Sequence, residues 1–87
     1  LNQGWGGLIQ YVEAKSKTHP VEAMQVLQRM IGANENRHWY DYEKRTRRLL
    51  ERCGANDKAR PLVCAVIDLL ESRGITEYHD LLERICL

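Results

Sequence analysis

The stretch RPLVCAVIDLLESRG, residues 60–74, decides the fold. Its apolar run, Leu62, Val63, Cys64, Ala65, Val66, Ile67, Leu69 and Leu70, invites two readings, because a short apolar run suits a buried strand and a buried helix alike. Length separates them. The pattern continues from Leu62 to Ser72, longer than a typical strand, and no other segment alternates with the period of a strand partner. Pro61 fits the first helical turn, where its missing N–H is not needed, and Gly74 supplies a stop. A helix over residues 62–72, apolar nearly all round, is expected to be the central and most buried element, with Asn56-Asp57 capping its start.

Outward from it, the same period recurs. Upstream, Trp39, Tyr42, Thr46, Leu49, Leu50 and Cys53 form one stripe of a third helix from about Arg37 to Cys53, closed by Gly54. Before it, Thr18-His19-Pro20 opens a second helix bearing Met24, Leu27 and Ile31, and Gly32 is read as its left-handed stop. A first helix carries Leu8, Ile9 and Val12 behind a GWGG segment read as flexible. Downstream, Thr76 caps a fifth helix with an inner stripe of Tyr78, Leu81, Leu82, Ile85 and Cys86. The expectation is a single all-α domain over residues 1–87. It is a compact antiparallel bundle of five short helices, or six if another follows Leu87. The chain begins at Leu1 without Met, as a domain excised from a longer protein would.

Composition bounds the chemistry. A hydrophobic fraction of 44% is too high for disorder, and no apolar run approaches the ~18 residues of a membrane span. Cys53, Cys64 and Cys86 are an odd number, all on apolar helical positions, without a Cys-x-x-Cys pair. Buried free thiols in a reducing, cytoplasmic compartment are expected, with one disulfide or a redox role as the alternatives. His19, His38 and His79 are not spaced with those cysteines as zinc ligands, so no metal or cofactor is expected. No nucleophile elbow, phosphate loop or dinucleotide fingerprint occurs, and no catalytic residue is assigned.

The last third, NDKARPLVCAVIDLLESRGITEYHDLLERI, resembles the fourth and fifth helices of caspase-recruitment domains, which are death-fold modules. Lys58-Ala59-Arg60, Arg73-Gly74 and Tyr78 through Leu82 occupy the matching places, with DYEKRTRRL as the helix leading in, so the likeness spans mainly residues 42–85. The resemblance implies a death-fold-like bundle without enzyme activity, which assembles with its own kind through charged patches in the cytosol.

Charge is segregated along the chain. Residues 37–60 hold eight basic and four acidic side chains, and residues 61–87 hold two and five, although the whole chain is only +1. On the third helix Arg45 and Arg47 each follow a carboxylate by four residues, Asp41 and Glu43, a spacing that stabilises helices. Arg37, Lys44, Arg48 and Arg52 share the outer face with like-charged neighbours, a mildly unfavourable ridge. These four are the candidate basic contact patch. Asp68, Glu71, Asp80 and Glu83 are the candidate acidic one, against the plainer reading of two solvated faces. The function expected is a non-enzymatic adaptor or assembly module that binds a protein partner, or itself, through these patches. Nucleic acid along the basic helix is the rival partner. It is disfavoured by the apolar helix that follows and by a pI of about 7.9.

Overall fold

The computed structural model describes residues 4–33 and 43–86, with side chains from residue 7 onward. Four α-helices dominate it: α1 (Gly4–Ser16), α2 (Pro20–Ala33), α3 (Glu43–Gly54) and α4 (Arg60–Ser72). A single turn, α5 (His79–Leu81), runs on into a π-helical turn, Leu82–Cys86. No strand occurs among the described residues: the deciding stretch is helical over Arg60–Ser72, and the described fold is all-α.

The core is one cluster drawn from every helix. Ile9 and Val12 come from α1, Met24, Leu27 and Ile31 from α2, and Leu49, Leu50 and Cys53 from α3. Val63, Val66, Ile67 and Leu70 come from α4, joined by Tyr78 and Leu81. Helix α4 packs on α2, on α3 and on the π-helical turn, which is the central place its apolar sequence implies. It is not buried all round, however. Leu62, Cys64, Ala65 and Leu69 are half-buried, since only one side of a helix can meet α2 and α3 at once.

The cysteines divide. Cys53 is a buried free thiol, as expected, but Cys64 and Cys86 form a disulfide across 22 residues. This corrects the expectation of three free thiols. The stripe positions that looked like core contacts on α4 and the last turn are half-buried and face one another.

The glycines correct the sequence reading in one place, at Gly32. Gly74 alone among the described residues has a left-handed φ, +88°. Its N–H bonds the Glu71 carbonyl at 3.0 Å and that of Ile75 bonds the Leu70 carbonyl at 3.0 Å, which closes α4 in a Schellman turn. Gly32 lies inside α2 and does not stop it by a left-handed turn, whereas α3 ends at Gly54 as expected, without a left-handed φ. Gly54 is needed for space: a Cβ there would stand 2.7 Å from Ile85 Cδ1.

Other boundaries also move. The GWGG segment is the first turn of α1, not a flexible leader. Leu8 is 41% exposed, so α1 anchors through Ile9 and Val12. Asn56 caps the turn before α4 rather than α4 itself: its Oδ1 accepts the N–H groups of Lys58 and Ala59 at 2.9 and 3.0 Å, while the N-cap of α4 is Ala59, without a side-chain bond. Thr76 is not the cap of α5, because that helix starts only after Tyr78.

Candidate functional site

The third helix carries both core and charge, and its neighbours sort the charges. Arg45 reaches across to α1 and binds Glu13 through two bonds, Nε to Oε2 at 2.9 Å and NH2 to Oε1 at 2.6 Å. Its expected partner Asp41 lies outside the described residues. Arg47 does not pair with Glu43. Its two terminal nitrogens each donate to Asp80 at 3.0 Å, one of them also to the Glu77 carbonyl at 2.7 Å, and its guanidinium lies 5.5 Å from the centroid of the Tyr78 ring. Tyr78 in turn donates its hydroxyl to the Glu43 carbonyl at 2.9 Å. Helix α3 is therefore clamped at both flanks, by α1 through Arg45 and by the α5 region through Arg47.

Of the proposed basic patch, Arg37 lies outside the described residues. Lys44, Arg48 and Arg52 are exposed on α3. Arg52 donates to Ser16 Oγ at 3.2 Å, and Ser16 itself donates to the Glu13 carbonyl at 2.7 Å. Lys44 and Arg48 have no ion pair or side-chain hydrogen bond with a described residue. The structure adds a member that the sequence pattern did not single out: Lys17, exposed in the turn after α1 and likewise without such a partner.

These cations surround a recess. A cavity of about 180 Å³ between α1 and α3 is lined by Glu13, Lys17, Arg45, Arg48, Leu49 and Arg52. Leu49 is buried and supplies apolar wall; the remaining lining is four cations and one carboxylate. That carboxylate is already committed to Arg45. The hydrogen bond from Arg45 holds its pKa below the usual value of 4.5, with Arg48 and Arg52 adding to the field. Glu13 stays ionised and bonded, so it does not neutralise Lys17 or Arg48 by contact.

The proposed acidic patch is used largely within the chain. Asp80 binds Arg47, which holds its pKa below 3.8, and sits 3.8 Å from Arg84. Glu71 lies 2.8 Å from His79 Nδ1, and Glu83 lies 3.5 Å from the other ring nitrogen. The hydrogen bond to Glu71, with the neighbouring carboxylates, raises the His79 pKa above 6.5. Asp68 alone of the four is exposed without a partner among the described residues.

Buried Cys53 has its thiol pKa pushed up to about 11 by burial, which favours the protonated thiol over the thiolate. Among the described residues no three His, Cys, Asp or Glu side chains gather as a metal would require, and no helix is long and apolar enough to cross a membrane. No family model matches the chain, and neither does any curated protein or solved structure.

Proposed function

We propose that this domain is a non-enzymatic protein–protein interaction module whose binding surface is the basic face of α3 together with the turn after α1. The observation that carries the reading is the sorting of charges. Arg45 and Arg47 are consumed in holding the fold, whereas Lys44, Arg48 and Lys17 project into solvent with no carboxylate in contact among the described residues. Clustered cations at helix neighbours cost a few tenths of a kcal/mol per pair, and an acidic surface would relieve that repulsion.

The acidic segment of a partner fits better than a second copy of this chain. Head-to-tail assembly would need a free acidic patch, and Asp80, Glu71 and Glu83 already have basic partners in the same molecule. The death-fold resemblance, with its homotypic assembly, is the narrower form of the same reading. The Cys64–Cys86 bond removes the support that free thiols lent to a cytoplasmic location, and it favours an oxidising compartment.

Arg48→Glu tests the proposal, because Arg48 is exposed and the change spares the core. Light scattering against concentration reports self-association. Anisotropy titrations with an acidic peptide pool and with a labelled duplex, at two salt concentrations, report the partner class. The expected result is a monomer that binds the peptides, with Arg48→Glu weakening that binding about tenfold and leaving the melting temperature unchanged. Peptide binding that Arg48→Glu leaves intact overturns the surface. Salt-sensitive binding to the duplex alone replaces the protein partner with nucleic acid.

A further inference from the structure

The shape of the recess says more than its charge. Its volume is about 180 Å³. Pockets that hold a whole small molecule run to about 300–1,000 Å³. The recess is smaller than such a pocket and suits a compact charged group. Its lining offers the guanidinium groups of Arg48 and Arg52 and the ammonium of Lys17, beside the Arg45–Glu13 pair. Guanidinium forks match the oxygens of a tetrahedral oxyanion, with which they form short charge-assisted bonds. Arg52 is steadied over the site by Ser16, so it is held in place before any ligand arrives.

We infer that the recess between α1 and α3 receives a phosphoryl group carried on an acidic peptide segment of a partner protein. The inference rests on the reading of this face as a protein-binding surface. A phosphoryl group carries about −1.5 to −2 charges at neutral pH, and the three cations left beside the Arg45–Glu13 pair, Lys17, Arg48 and Arg52, favour it over a carboxylate or a singly charged sulfate ester. The acidic residues beside it would lie along α3 toward Lys44, one turn from Arg48, at ~1.5 Å of rise per residue. Lys44 is exposed and lies outside the recess lining.

Two measurements test this. Backbone amide shifts are followed while inorganic phosphate replaces chloride at constant ionic strength. Degenerate acidic peptides are then titrated in three forms, with a central phosphoserine, serine or sulfotyrosine. Saturable shifts confined to residues 13–17 and 45–52 are expected, with phosphoserine binding about tenfold tighter than serine and sulfotyrosine between them. Lys17→Glu and Arg48→Gln should bring the phosphoserine-to-serine ratio to about one, with melting curves confirming the fold. Lys44→Glu should weaken all three peptides and leave the ratio intact. Equal binding of the phosphoserine and serine forms to the unaltered chain overturns the inference, as does a ratio that survives Lys17→Glu. Localised shifts with inorganic phosphate but no peptide preference also overturn it, in favour of a free ion. If the ratio is flat while Arg48→Gln and Lys44→Glu still weaken every peptide, the recess falls and the interaction surface stands.

Discussion

Thr46 sits in the core of α3 with none of its surface exposed, and its hydroxyl has no hydrogen-bond partner among the described residues. From sequence it reads as one more member of the apolar stripe, because its methyl falls at the correct angle; the stranded oxygen appears only once the neighbours are in place. A buried hydroxyl without a partner costs about 1–3 kcal/mol, and valine has the same shape without it. Thr46→Val should raise stability by roughly 1 kcal/mol, which for a chain of this size is a rise of about 4–8 °C in melting temperature. Urea titration checks it, and a loss of stability would mean that the hydroxyl is bonded after all. The glycines carry the same lesson. The stop at Gly74 was legible because a sharp turn and a loop follow it. Gly32 and Gly54 look identical in sequence, yet one lies within a helix and the other makes room for Ile85, 31 positions later in the chain.

At the scale of the element, α3 shows what one-dimensional reasoning reaches. Its stripe of Thr46, Leu49, Leu50 and Cys53 is buried as the helical period requires, and the exposure of Lys44, Arg48 and Arg52 follows from the same wheel. The partner of Arg47 does not follow: helical spacing suggests Glu43, whereas the carboxylate that binds it lies 33 residues away. Nor does spacing show that Arg45 reaches Glu13, 32 residues away. Lys17 joins the site for the same reason: only packing brings the end of α1 beside α3. The Glu13–Arg45 pair is bidentate and about one-third exposed, so a double-mutant cycle should give a coupling near 1 kcal/mol. Its pH dependence has a definite sign. Arg45 lowers the Glu13 pKa in the folded chain, so the unfolded chain takes up its proton first as the pH falls. The contribution is complete above the usual value of 4.5 and disappears as pH drops through the lower folded value. Glu13→Gln should flatten the acid limb of the stability curve and leave the limb above neutrality unchanged. A variant as acid-sensitive as the parent chain would remove the pair from this role.

For the whole molecule, the open question is what holds the carboxyl-terminal segment to a bundle whose last regular α-helical element is a single turn. Three ties converge there. Tyr78 is fully buried and bonds α3, Arg47 grips Asp80, and the disulfide fixes Cys86 to Cys64 on α4. The ion pair is exposed and weak, so the disulfide and Tyr78 carry most of the attachment. In sequence, Cys64 and Cys86 were indistinguishable from Cys53, since all three fall on apolar stripes; only the docking of the last turn along α4 brings two of them together. Closing a loop with a separation of 22 residues restricts the unfolded chain by about 3 kcal/mol on the chain-entropy account. Replacing both cysteines by serine should lower stability by roughly that amount. It should also release Ile85 from Gly54, seen as faster amide exchange over residues 82–86. The recess is lined by residues of α1, the turn after it and α3, and by none of α4 or the last turn. Peptide binding should therefore survive the double replacement at temperatures below the new melting point. Loss of binding together with the disulfide, in a variant still folded by circular dichroism, would show that the interaction surface includes the last turn.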